Sequence, residues 1–193
     1  LNIKYLGPLS RFEKMDVPVI YDLMVLLSGP EPQRTLLEEK LLAELQPFEG
    51  NILFVGGKIE ASKTTEEIKT GNGSIIRINF MQSHELQKAL NQSAKVLCRS
   101  GYTTVMDLAK LEKKAFFIPT PGQYEQEYLA KRMEKQNLVP YSEQDNFTLK
   151  DLSRIDAFEG LAQFESEIDY ADLFTAFSKV NENSEPTSSS LST

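Results

Sequence analysis

Short apolar runs alternate along this chain with stretches whose apolar residues recur every three to four positions. Residues 20–27, 51–55, 74–79, 95–98, 115–118 and a short 138–141 read as strands, and 33–45, 83–91, 103–112 and 124–136 as amphipathic helices. Near-continuous hydrophobic strands separated by helices predict an α/β domain with a Rossmann-like parallel sheet, helices on both of its faces. Ligands of such sheets collect where strands run into helices, which singles out the loops 28–33, 80–84, 99–103 and 119–124.

The pattern also divides the chain. Residues 1–19 read as an interdomain linker, 20–146 as the Rossmann-like domain, 147–180 as two C-terminal helices packing on it (147–158 and 168–180), and 181–193 as a disordered tail of Ser, Thr, Asn, Glu and Pro. The polar stretch 56–73 reads as a surface excursion. With 193 residues, 40% of them apolar, the chain has material for one sizeable core.

A net charge of −7 with no clustered run of Lys and Arg argues against nucleic acid as a partner, because such binding draws on counterion release by clustered cations. One cysteine, Cys98, excludes an internal disulfide, and one histidine, His84, leaves no Cys/His metal set, so no metal and no resident cofactor are expected. A reducing cytoplasm is the simplest compartment. No apolar stretch reaches the roughly 18 to 20 residues needed to span a bilayer, although an acceptor on the inner membrane surface is compatible with this.

The chemistry concentrates at Arg99-Ser100-Gly101-Tyr102-Thr103-Thr104, where a strand meets a helix. Unpaired N–H groups and aligned peptide dipoles at a helix N-terminus attract anions, and Gly101 permits close backbone approach. Asp107 lies one turn beyond Thr103 and Thr104, where a carboxylate can receive hydroxyl donors beside the anion. A phosphate beside a sugar hydroxyl describes a nucleotide, but an ordinary strand-to-helix turn has the same spacing. Gln123, Gln126 and Glu127 crowd polar groups at the next loop. Arg34 follows Ser28-Gly29-Pro30-Glu31-Pro32, whose prolines lack N–H groups and so weaken it as an anion cradle. His84 has no partner visible in the sequence. Cys98 reads as a small core hydrophobe, and Lys113-Lys114 as a complement to a helix dipole.

The run Val96-Leu97-Cys98-Arg99-Ser100-Gly101-Tyr102-Thr103-Thr104-Val105-Met106-Asp107, with Ala115-Phe116-Phe117-Ile118-Pro119 and Gln126-Glu127-Tyr128, resembles the C-terminal donor-binding domain of MurG-like glycosyltransferases, family 28, which have the two-domain GT-B fold. The likeness runs from Gly7-Pro8-Leu9-Ser10-Arg11 to about Tyr141. It implies a UDP-sugar donor, UDP-N-acetylglucosamine or a relative, as substrate. Gly101, Thr103 and Thr104 then contact the diphosphate, Asp107 takes the ribose hydroxyls where the family usually has Glu, and Gln126 and Glu127 hold the sugar hydroxyls where it has paired Gln. Phe80 and Met81 read the uracil edge, and Arg11 is the linker arginine near the phosphates. The family's Gly-rich first loop is here the proline-containing 28–32.

Transfer of the sugar to an acceptor hydroxyl needs a base and a means of stabilising the departing diphosphate. The sequence supplies the second through the helix N-terminus and Arg11, with Arg34 in addition, and offers no convincing base. By resemblance, base and acceptor pocket belong to an N-terminal domain absent from this chain, which alone is expected to be inactive. Two other readings stay open: a non-enzymatic interaction module with a degenerate donor site, and a nucleotide-sugar hydrolase or epimerase using His84 and Glu127.

Overall fold

Strand β1 (Tyr21–Leu26) buries Leu23, Met24 and Val25 in succession, because both faces of the sheet at this position are covered. Alternation along the strand sends Met24 to one hydrophobic cluster and Leu23 and Val25 to the other. The computed structural model describes residues 10–58 and 62–163. Within these, β1 is followed by α1 (Gln33–Glu44), β2 (Asn51–Val55), β3 (Thr65–Thr70), β4 (Gly73–Ile78), α2 (Ser83–Asn91), β5 (Ser93–Cys98), α3 (Tyr102–Lys110), β6 (Lys114–Phe117) and α4 (Tyr124–Lys135). Two 3-10 segments, Leu149–Ala157 and Leu161–Gln163, close the described part.

The six strands form one sheet in the order β3-β4-β2-β1-β5-β6, parallel throughout except for β3 against β4. Helices α2, α3 and α4 contribute to one core, with Ala89, Leu108 and Met133, and α1 and the first 3-10 segment to the other, with Leu37, Leu41, Leu152 and Ile155. This is the Rossmann-like α/β arrangement expected. The order also locates a topological switch point: the chain moves from β1 outward through β2, then returns to place β5 on β1's other side, so the loops after β1 and β5 part company there.

Three elements differ from the sequence reading. The stretch 56–73 is not only a surface excursion, since it contains β3, which pairs antiparallel with β4 through Thr70 and Gly73. Its sequence TEEIKT has a single aliphatic residue, and a charged edge strand of this kind discourages pairing with other chains while hiding its strand character. Residues 138–141 make only an isolated bridge, Tyr141 to Phe117. Pro140 has no N–H to continue a ladder, although its carbonyl accepts from Phe117 N–H at 3.0 Å. The helix expected over 147–158 is a 3-10 segment, and the spacing of its apolar residues explains this: Leu149, Leu152 and Ile155 recur every three positions, the period of that helix. The helix expected over 168–180 and the tail 181–193 lie outside the described residues.

Residues 10–19 are fastened to the domain. Phe12 is 2% exposed within the core shared with α2, α3 and α4. Around it, Glu13 N–H donates to Gln87 Oε1, Met15 N–H to Asn91 Oδ1, and Lys14 pairs with Glu112. Lys113 does not complement its own helix: its ammonium donates to the carbonyls of Asn91 and Ser93, tying the turn before β6 to the turn before β5.

Candidate functional site

Helix α3 starts at the carboxyl end of β5, beside the crevice between β1 and β5. Gly101 is its N-cap, in extended conformation, and no side chain among the described residues caps the helix. The first-turn N–H groups of such a helix point outward along its axis. A Cβ built on Gly101 meets nothing within 4 Å among the described residues, which leave the space in front of the helix open. Thr103 is exposed and Thr104 half-buried at this end.

Asp107, one turn on, is 8% exposed and accepts the Ser10 hydroxyl at 2.6 Å. Burial raises its pKa above the ordinary aspartate range, while the Ser10 hydrogen bond and the charge of Arg11 pull the other way. The Arg11 guanidinium lies over the Phe12 ring, 4.9 Å from its centroid. The fold therefore brings Arg11, Asp107 and the start of α3 together, although Arg11 is some ninety residues away in sequence.

Arg99 acts from below. It is 1% exposed, and its guanidinium donates to the carbonyls of Ile118 (3.1 Å), Pro119 (3.0 Å) and Gln33 (3.0 Å) and to Gln144 Oε1 (2.7 Å). Burial pulls its pKa down to about 10, so it stays charged at neutral pH. Its acceptors are carbonyl oxygens, none of them a carboxylate. The side chain is thus a fastener of three loops, and not a group that reaches a ligand. Ser100 is likewise turned inward, its hydroxyl donating to the Gln126 carbonyl at 2.7 Å.

The loop before α4 (Tyr124–Lys135) is held by its own helix. Gln126 Oε1 accepts Thr120 N–H at 2.9 Å, its amide nitrogen donates to Gln123 Oε1, and Glu127 Oε1 accepts Gly122 N–H at 3.0 Å. Glu127 also lines a cavity of about 350 Å³ with Lys131, Tyr141 and Glu143. On the far side of the sheet's end, Phe80 N–H donates to Asn79 Oδ1 at 3.1 Å and Met81 packs partly against the core. Phe80 and Met81 therefore border the carboxyl ends of the strands with half-buried side chains and a fixed backbone.

Arg34 departs from its expected role. It is nearly buried, donates to Glu31, Thr35, Glu38 and the Gly56 carbonyl, and so has its donors engaged within the domain. Glu38 in turn accepts two bonds from Arg77, which locks α1 to β4 beside a cavity of about 360 Å³. His84 is exposed on α2. Cys98 is buried and its thiol pKa is pushed up, as expected for a core residue. No group of three or more His, Cys, Asp or Glu among the described residues is arranged to hold a metal, and no helix among them is long and apolar enough to cross a membrane. Gln33, Gln144 and Ser10 are invisible as site residues in the sequence: each works through a partner at least 45 residues distant.

A Rossmann-like domain with an open helix N-terminus at its switch point and a carboxylate one turn along has the architecture in which α/β domains place a ligand at the carboxyl ends of their strands. The chain is a member of the family described by the glycosyltransferase family 28 C-terminal domain, whose model matches residues 33–169. Among solved structures it is similar to MurG of Acinetobacter baumannii, with 19% identity, a TM-score of 0.55, and 75% of this chain and 44% of that chain covered. It also matches the glycosyltransferase SnogD from Streptomyces nogalater at 12% identity and a TM-score of 0.47, covering 94% of this chain and 40% of that one. The chain thus spans less than half the length of either structure. No curated protein matches it in sequence. The first likeness shows the fold, the C-terminal half of a GT-B arrangement.

Proposed function

We propose that this chain is the donor-binding half of a glycosyltransferase that moves a hexosyl group from a UDP-sugar, UDP-N-acetylglucosamine or a relative, to an acceptor hydroxyl. The observation that carries the reading is the convergence of three features: the uncapped start of α3, open above Gly101, the Asp107 carboxylate one turn on, and Arg11 beside it. The diphosphate would lie on the N–H groups around Gly101, Thr103 and Thr104, with Asp107 receiving the ribose. Phe80 and Met81 would face the base, and the loop bearing Gln123, Gln126 and Glu127 the sugar.

As the glycosidic bond breaks, negative charge grows on the diphosphate. The helix N-terminus and Arg11 oppose that charge without reorganising, and Arg99 supports them as a buried cation beneath the loop. A base for the acceptor hydroxyl would come from an N-terminal acceptor domain, so the chain by itself binds donor without turning it over. The reading expects a cytoplasmic protein whose acceptor lies on a membrane surface or in solution.

Calorimetry with UDP, UDP-N-acetylglucosamine and uridine tests this. Binding that needs the diphosphate and is lost in a Thr104→Ala/Asp107→Ala double variant is the expected result. Equal binding by the variant, or none by the parent, overturns it. The alternative, an interaction module that has lost donor binding, is favoured by one observation, the closure of Arg34 onto Glu31 and Glu38. On that reading the parent binds no nucleotide.

A further inference from the structure

Among the described residues three buried side-chain polar atoms lack a hydrogen-bond partner: Thr70 Oγ1, Arg99 Nε and Thr120 Oγ1. Two of the three lie just past the carboxyl ends of β5 and β6, under the loops that border the switch point. Thr120 is 2% exposed, so its hydroxyl is stripped of water with no protein group in exchange, a destabilising state that is rare in folded chains. The main chain of the same residue is engaged on both sides. Thr120 N–H donates to Gln126 Oε1 at 2.9 Å, and the Thr120 carbonyl accepts Gln123 N–H at 3.0 Å. The residue is therefore fixed by its backbone while its hydroxyl is left over.

That hydroxyl faces the loop after β1. A Cβ built on Gly29, which has φ +105°, would lie 3.5 Å from Thr120 Oγ1, and apart from Gly29's chain neighbours no other described atom comes within 4 Å of it. Ser28, Gly29 and Pro30 are themselves exposed, so the cover over the hydroxyl is a surface turn with no side chain at its centre. On the other side, Gln123 and Gln126 tie Thr120 to the loop that the donor reading gives to the sugar. We infer that Thr120 is a specificity-determining residue, whose hydroxyl bonds a hydroxyl of the transferred sugar when the turn 28–30 lifts. A hydroxyl already stripped of water loses none on meeting the sugar, so the bond adds to affinity without a desolvation cost on the protein side. The nucleotide, seated on α3, does not feel it. This rests on the donor-binding reading above and adds to it a residue that reads the sugar.

Thr120→Val puts a methyl group in place of the hydroxyl, and calorimetry with UDP and UDP-N-acetylglucosamine reads the effect. The expected result is UDP-N-acetylglucosamine weakened about tenfold, the scale of one hydrogen bond, with UDP unchanged within about twofold. The melting temperature should equal or exceed the parent's, because an apolar group replaces a buried hydroxyl that has no partner. Thr120→Ser keeps the hydroxyl and should hold UDP-N-acetylglucosamine within about threefold of the parent. A lower melting temperature in Thr120→Val means that an internal water already satisfies the hydroxyl, and overturns this inference alone. Unchanged affinity for UDP-N-acetylglucosamine, or an equal loss for UDP, does the same. Failure of the parent to bind either ligand overturns the donor reading and this inference with it.

Discussion

The guanidinium of Arg99, at the end of β5, donates across 3.0 Å to the main-chain carbonyl of Gln33 at the start of α1. The same group holds the carbonyls of Ile118 and Pro119 after β6, so one buried cation fixes three loops around the sheet's switch point. Arg99→Met removes a donor set that no other side chain replaces and leaves those buried carbonyls without partners. We expect a loss of about 3 kcal/mol in urea denaturation, with weaker UDP binding. Arg99→Lys retains the charge, but its smaller point-like head cannot span the same acceptors, so it should recover only part of the stability.

Phe12 and Arg11 are neighbours with opposite expected effects. Phe12→Ala empties a core position and should cost about 3 to 5 kcal/mol in denaturant unfolding. Arg11→Ala, at an exposed position, should change stability by no more than about 0.5 kcal/mol while weakening UDP several-fold in calorimetry. If residues 10–19 were a loose linker, Phe12→Ala would leave stability unchanged.

Two glycines separate fold from function. Gly57 has φ +68°, and a Cβ there would lie 2.1 Å from the Leu27 carbonyl oxygen, so Gly57→Ala should destabilise the domain markedly. Gly101 has an ordinary negative φ and, among the described residues, open space before it, so Gly101→Ala should melt at nearly the parent temperature while a methyl group obstructs the approach of a diphosphate. Melting curves and UDP titrations of the pair read the two effects apart.

The pH dependence of binding follows from Asp107. Its charged form accepts the sugar hydroxyl, and burial raises its pKa, so affinity should be full at neutral pH and fall as pH descends through a value above the ordinary aspartate range. Asp107→Asn should bind UDP more weakly at pH 7 and lack this acid limb in titrations between about pH 4 and 7.

Much of this was legible in the chain because it is local. The apolar runs at β1, β2 and β5 and the turn at Gly101 carry their structure within a few residues, and the sheet's parallel order follows from strands alternating with helices. What was not legible depends on distant partners or on polar elements. β3 has one aliphatic residue and is a strand because β4 offers it an edge. Arg99 and Arg34 look like ligand arginines in sequence, and only the fold shows their donors facing Gln33, Gln144 and Glu38. The Ser10 to Asp107 bond joins residues 97 positions apart, beyond any spacing rule.

Donor binding at the carboxyl ends of the strands is open to test by backbone amide NMR of the chain titrated with UDP. Saturable shifts centred on Gly101, Thr103 and Thr104, extending to Phe80, Met81 and Asp107, are expected. Shifts confined to the cavity beside Glu38 and Arg77, or none at millimolar UDP, would contradict it.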